Sequence, residues 1–213
     1  MNTPTTSAAP EYLAPYHAAV DRFGATFEAT LWASRTAQAK RFSVMAEMVD
    51  LSGRVIVDAG AGLGDFAVYL AEREIAYERY IGLEAMASVV EEANQRGVPR
   101  SRFVVSDFVA HPEDYRVGAS PREPEVITFS GSLNTLEMEQ ARRVVERAYE
   151  AASVAVVFNF LSTHFVHAHR AQTGPARRFD PLAMLGWSFR LTPNVRFRQD
   201  YLDGHDATIA LMK

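Results

Sequence analysis

The residues best suited to chemistry begin in the stretch Val55-Ile-Val-Asp-Ala-Gly-Ala-Gly-Leu-Gly-Asp-Phe66, where Asp58 precedes glycines at 60, 62 and 64. Glycines at that spacing let backbone approach a ligand closely, and a following helix aims unpaired N–H groups at something polar or anionic. A dinucleotide fingerprint needs its third glycine one residue later, where this chain has Asp65. Glu84 follows Gly64 by about 20 residues, the place from which an acid accepts hydrogen bonds from both hydroxyls of a ribose. Asp107 suits a hydrogen bond to an adenine amino group with Phe108 as its apolar neighbour, although a turn or cap role competes for it. Ser130-Gly-Ser-Leu-Asn134 adds small and polar groups. His164, His167 and His169 cluster in one segment, and one of them could act as a general base. No cysteine or nearby carboxylate completes a metal set around them, so a zinc site is not expected.

These residues fall at the ends of apolar runs. Val55–Val57 reads as a strand, Phe66 to about Arg73 as a helix, 80–84 as a strand and 85–96 as a helix stopped by Gly97 and Pro99. Strands follow at 102–106, 126–129 and 154–158. The helix at 137–152 has Met138, Ala141, Val144, Val145, Ala148 and Tyr149 on one face. Residues 111–125, with three prolines and a glycine, read as a loop, and 161–179 as a long polar connection before a short helix at 181–189. Two last strands, 195–202 and 206–212, are joined by Asp203-Gly204-His205, a hairpin signal. Ahead of all this, residues 1–10 read as a disordered tail, and 11–52 as helices carrying Tyr12, Tyr16, Val20, Phe23, Phe42, Met45 and Val49 at helical spacing. Strands that alternate with helices and are apolar throughout predict a doubly wound α/β sheet, single-domain from 11 to 213. In such sheets ligands bind beyond the carboxyl ends of the strands. Every candidate above sits at such an end.

Composition sets limits on the partners. The 213 residues suit one well-cored domain, and the net charge of −4 argues against a dedicated nucleic-acid binder. The absence of cysteine excludes disulfides and thiolate chemistry. No secretory leader or membrane span is legible, so the expectation is a cytoplasmic protein with no membrane partner.

An acid followed by G-x-G-x-G resembles motif I of the class I S-adenosylmethionine-dependent methyltransferases. Leu31-Trp32-x-Ser34 with Gln38 and Arg41-Phe42, Ser130-Gly-Ser-Leu-Asn134, Phe158-Asn-Phe-Leu-Ser162 and Asp200-Tyr-Leu-Asp-Gly-His-Asp206 further resemble a small bacterial subgroup of that family, over roughly residues 20–213. The last of these departs slightly from the subgroup's pattern. The resemblance implies a Rossmann-like, mostly parallel seven-stranded sheet with an antiparallel C-terminal hairpin and an N-terminal helical lid over 11–52. It implies S-adenosyl-L-methionine as cofactor, held by Asp58, Gly60, Gly62, Gly64, Glu84, Asp107, Phe108 and Ser130. Arg41 would meet its carboxylate and Trp32 would close the pocket, with a helix salt bridge and a core indole as competing roles. The Asn/Asp-Pro-Pro-aromatic segment of the amino-methylating DNA and glutamine enzymes is missing.

Methyl transfer from a sulfonium is an in-line displacement that mainly needs alignment and exclusion of water. Cofactor residues are therefore easier to read than acceptor-side ones, for which His164, Tyr201 and Asn134 are the candidates. The expected acceptor is a small molecule, and the expected state a monomer or homodimer. Two alternatives remain: a cofactor-binding module without transfer activity, and a nicotinamide-dependent oxidoreductase.

Overall fold

The computed structural model describes residues 10–119, 121–165 and 174–213. Strands β1 (Val55–Ala59), β2 (Arg79–Glu84), β3 (Ser101–Val105), β4 (Val126–Phe129) and β5 (Ala155–Ser162) run parallel. Strand β8 (Asp206–Met212) lies antiparallel between β5 and β7 (Val195–Arg198), giving the order β3-β2-β1-β4-β5-β8-β7. Those are the seven expected strands. An additional two-residue strand, β6 (Arg178–Phe179), extends the pairing at the far end of β5, opposite Leu161 and Ser162.

Seven helices accompany the sheet among the described residues: α1 (Ala14–Phe23), α2 (Arg35–Met48), α3 (Asp65–Glu72), α4 (Ala87–Gln95), α5 (Asp114–Ala119), α6 (Met138–Ala151) and α7 (Pro181–Ser188). Successive side chains of a strand point to opposite faces, so each central strand feeds two cores. Val55, Val57 and Ala59 of β1 join Ala141, Val144, Val145 and Ala148 of α6 on one face. Ile56 joins Met45 of α2 and Phe66 and Leu70 of α3 on the other. This two-sided burial is why the strands read as continuous apolar runs.

Several boundaries differ from expectation. The stretch 111–125 contains α5, which buries Tyr115 against Phe129 despite the surrounding prolines. Strand β5 runs on to Ser162, because Asn159 and Ser162 remain buried within the sheet. The last two strands are not joined by a tight hairpin. β7 stops at Arg198, and 199–205 form a longer connection with a 3₁₀ turn at Leu202–Gly204 and positive φ at Leu202 and Asp203. Helix α1 starts after Tyr12, with Pro15 in its first turn, where a missing N–H does no harm. The predicted tail at 1–9 lies outside the described residues.

Candidate functional site

Strand order reverses at β1, which pairs in parallel with β2 on one side and with β4 on the other, so a crevice opens at the carboxyl ends of β1 and β4. A cavity of about 780 Å³ occupies it, toward the upper part of the roughly 300–1,000 Å³ span of small-molecule sites. The glycine loop forms its floor. Gly60 and Ala61 donate backbone hydrogen bonds to Leu83 O at 2.8 and 3.0 Å, tying the loop to the end of β2. Gly60, Gly62 and Gly64 all have positive φ, at 80, 54 and 76°. Their reasons differ. A Cβ on Gly60 would collide with Ser132, and one on Gly64 with Phe103. A Cβ on Gly62 would meet nothing nearer than Thr30 Cγ2 at 3.6 Å, so Gly62 presents bare backbone to the cavity.

Three acids sit around this loop. Asp58 is buried beneath it, accepting hydrogen bonds from Tyr80 Oη and, at 2.7 Å, from Thr128 Oγ1. Burial pushes its carboxyl up to about 6, against the opposing effect of those two hydroxyls. Glu84 accepts from Gly62 N at 3.0 Å and from Met86 N at 2.9 Å, so one carboxylate fixes the loop and the start of the next helix. Burial raises its pKa more than these N–H bonds lower it. Asp107 does what a turn aspartate does with one oxygen, capping Val109 N and Ala110 N at 3.1 and 3.3 Å. Its other oxygen faces the cavity and accepts from Tyr12 Oη at 2.7 Å. Tyr16, one helical turn on, hydrogen-bonds Thr135 and lies near Glu84. Burial first, then that carboxylate, push the Tyr16 phenol up to about 12. Both tyrosines thus sit over the acids. Phe108 lines the same side, edge-on to Phe129 at 5.7 Å.

The opposite side of the cavity, beyond β4 and β5, is basic. Arg41 is buried and grips Asp206 of β8 through Nε (2.5 Å) and Nη2 (2.9 Å), while its Nη1 is buried with no partner among the described residues. The salt bridge expected as an alternative role is therefore present, with a partner on a distant strand rather than on the same helix. Trp32 lies under the guanidinium, 4.6 Å from ring to carbon, and leans on Gly131, where a Cβ would sit 2.9 Å from the indole. Burial alone would raise the Asp206 carboxyl; hydrogen bonds from His205 and Arg41 hold it below the usual range. His205 gives Nδ1 to Asp206 at 2.8 Å and has Nε2 2.7 Å from Arg178 Nη2. A guanidinium only donates, so that pairing requires Nε2 to accept. Asn134 and Ser130 also line the cavity. Asn134 accepts from Leu161 N through its side chain, and Ser130 Oγ is buried with no partner among the described residues.

Two acceptor-side candidates are corrected. Tyr201 is buried in the core on the α2 side, its hydroxyl is 2.6 Å from Thr208 Oγ1, and it does not line the cavity. Burial pushes that phenol well up, and Leu202 beside it faces the cavity instead. His164 is exposed and does not line the cavity either, because its backbone is held by Ser162 and Gln199 while Phe165 turns inward. His167 and His169 lie outside the described residues. Among the described residues no group of three metal-ligating side chains occurs.

Sequence reasoning did not identify Tyr12, Tyr16, Arg178, His205 or Asp206 as site residues. The tyrosines were legible only as an apolar stripe. Asp206 was quoted as the end of a motif, with nothing to link it to Arg41.

No protein-family model matches the chain, and no curated protein matches it. Solved structures do. Magnesium protoporphyrin IX methyltransferase (ChlM) from Synechocystis PCC 6803 with bound SAM superposes with a TM-score of 0.67 at 14% identity, over 98% of this chain and 100% of that one. A DhpI–SAM–HEP complex gives 0.67 at 15% identity over 94% and 95%. The small RNA methyltransferase HEN1 gives 0.66 at 10% identity over 83% of this chain and 25% of that one. The chain has the class I S-adenosylmethionine-dependent methyltransferase fold.

Proposed function

We propose that this chain is an S-adenosylmethionine-dependent methyltransferase that alkylates a small-molecule acceptor by in-line displacement. The observation that carries this reading is the triangle made by the bare backbone of Gly62, the carboxylate of Glu84 bonded to it, and Asp107 facing the same cavity. The cofactor's chemistry is a methyl group on a positively charged sulfur with a good leaving group behind it. On this reading Glu84 takes the ribose hydroxyls, Asp107 the adenine amino group and Phe108 a face of the base. Asp58 holds the loop from below. Two buried polar atoms of cavity-lining residues, Ser130 Oγ and Arg41 Nη1, have no partner among the described residues and fit the methionine end, the guanidinium taking its carboxylate.

The segment 11–52 then acts as a lid on a single domain spanning 11–213. Tyr12 and Tyr16 cover the two acids meant for adenosine, so the lid shifts when the cofactor enters. Enclosure under α1 and Trp32 suits a small acceptor, as does a chain of net charge −4, which offers no surplus of cations to a nucleic-acid backbone. Asn134 remains a positioning group on the acceptor side.

Incubation with methyl-labelled S-adenosylmethionine and a metabolite extract tests the reaction, label in a small product being the expected outcome. Binding without product would instead identify a module that holds the cofactor and transfers nothing. Calorimetry with S-adenosylhomocysteine and with a nicotinamide dinucleotide separates the oxidoreductase reading. Glu84→Ala removes up to two charge-assisted hydrogen bonds to the ribose and should weaken S-adenosylhomocysteine binding by roughly 10- to 100-fold. An unchanged affinity would take Glu84 out of the ribose role.

A further inference from the structure

The two halves of the cavity differ in charge. Asp58, Glu84 and Asp107 lie beneath and on one side, and Arg41, Arg178 and His205 face them across it. Two carboxylates stand on the basic side, Asp203 on the cavity wall and Asp206 behind it. Asp206 is committed, accepting twice from Arg41 and once from His205 Nδ1, and Asp203 makes no ion pair among the described residues. Arg178 has no ion pair among the described residues. The sequence outside them, 1–9, 120 and 166–173, contains no aspartate or glutamate that could supply one.

Arg178 is nevertheless held in place. Its Nη1 donates to Ser162 O at 2.9 Å, its Nη2 to His205 Nε2 at 2.7 Å, and the guanidinium stacks 4.2 Å above the Phe165 ring. Phe165 in turn meets the His205 ring edge-on at 5.4 Å. Asp206 acts on this guanidinium without bonding it, and burial outweighs that attraction, so an anion in direct contact would offset the cost of holding the charge there. Leu161, Phe165 and Leu202 supply apolar surface on this side of the cavity, with Asp203 at its edge.

We propose that Arg178 is the acceptor's anchor and that the acceptor is a small organic acid, an apolar body bearing a carboxylate or phosphoryl oxyanion that Arg178 binds. This rests on the methyltransferase reading, which assigns the free edge of Arg41 to the cofactor and leaves Arg178 for the acceptor. His205 is a positioning residue: its Nε2 and the Ser162 carbonyl set the guanidinium plane, and Asp206 fixes the imidazole through Nδ1. Arg178 is one of two adjacent arginines in the chain, and its place beside Ser162 and His205 comes from the pairing of β6 with β5.

The test is calorimetric titration of the full chain, saturated with S-adenosylhomocysteine, with benzoate, phenylphosphonate and the neutral benzamide. At least one anion should bind about tenfold or more tightly than benzamide, as expected for a charge-assisted, desolvated contact. Preference for benzoate would identify a carboxylic acid, and preference for phenylphosphonate a phosphoryl compound. Arg178→Gln should erase the preference while leaving S-adenosylhomocysteine affinity unchanged, which also certifies that the variant is folded. Arg178→Lys should retain part of the preference. Equal binding of neutral and anionic probes, no binding of any probe, or an anion preference that survives in Arg178→Gln would each overturn the proposal. Failure of S-adenosylhomocysteine to bind the wild type would overturn the underlying reading, and the same probes titrated into protein alone would then report on Arg178 separately.

Discussion

Asp58 is a carboxylate surrounded by hydroxyls, with no ion pair among the described residues. Its folded pKa of about 6 stands above the ordinary 3.8. Between those values the folded protein holds a proton that the unfolded chain has released, so this group's contribution to stability is full below about pH 4 and is lost as pH rises through about 6. The loss amounts to about 3 kcal/mol. Asp58→Asn keeps a neutral side chain able to bond both hydroxyls. Other acids titrate in the same range, so the measurable quantity is the difference between variant and wild type in urea unfolding. That difference should move in favour of Asp58→Asn from pH 4 to 6 and level off above it. A difference flat across the window would mean the carboxylate is not strained by burial. At this scale the sequence was informative where a role depends on neighbours in the chain: the glycine loop, Glu84 and Asp107 each mark the end of a strand. It was silent on Tyr80 and Thr128, which reach Asp58 across strands β2 and β4.

Helix α1 and the turn before it present Tyr16 and Tyr12 to the acid side of the cavity, and the Tyr12–Asp107 hydrogen bond uses the oxygen proposed for adenine. Removing that bond should free the site. Tyr12→Phe is therefore expected to tighten S-adenosylhomocysteine binding by roughly fivefold, the worth of one modest hydrogen bond, in the same calorimetric assay. A weaker complex would show instead that the phenol belongs to the bound state. The stripe of Tyr12, Tyr16 and Val20 was visible as periodicity, whereas its direction was not, because an amphipathic face does not say which surface it covers. Helix α2 shows the converse. It buries Gln38 and Arg41 beside Phe42 and Met45, so its inner face is half polar and its apolar periodicity is blurred. Gln38 Nε2 donates to Asp65 at 3.0 Å, and Arg96 pairs with the same carboxylate at 2.6 Å, which accounts for an acid at the first position of α3. The short α5 was hidden by prolines, and the 199–205 connection by a glycine that resembled a tight turn.

Across the whole molecule, the Arg41–Asp206 pair ties the N-terminal helices to the inserted strand β8. Cutting one side of a buried pair costs more than the pair contributes, because the remaining charge has no partner. Asp206→Ala should therefore lower unfolding stability by about 3–5 kcal/mol in urea, and the double variant Arg41→Met, Asp206→Leu should recover most of it. A single variant as stable as wild type would mean that water reaches Arg41. The alternation of strands and helices made the doubly wound sheet legible, since parallel strands buried on both faces have no polar side. Contacts such as this pair were not legible, because nothing local in either segment refers to the other.

Arg41 and Asp206 stand 165 positions apart, and β8, last of the eight strands in chain order, is flanked by β5 and β7. Until β8 is laid in, β5 keeps an open edge and the helix carrying Arg41 has an unmatched charge to bury. The parallel pairings β1–β2, β2–β3 and β4–β5 join strands consecutive in the chain, whereas the Arg41–Asp206 contact closes 165 positions. Loop-closure entropy alone predicts that the cavity's basic wall forms late in folding. A ligand that needs this wall will bind only chains that have completed the sheet, and its binding is a readout of finished folding rather than of the early nucleotide-binding half.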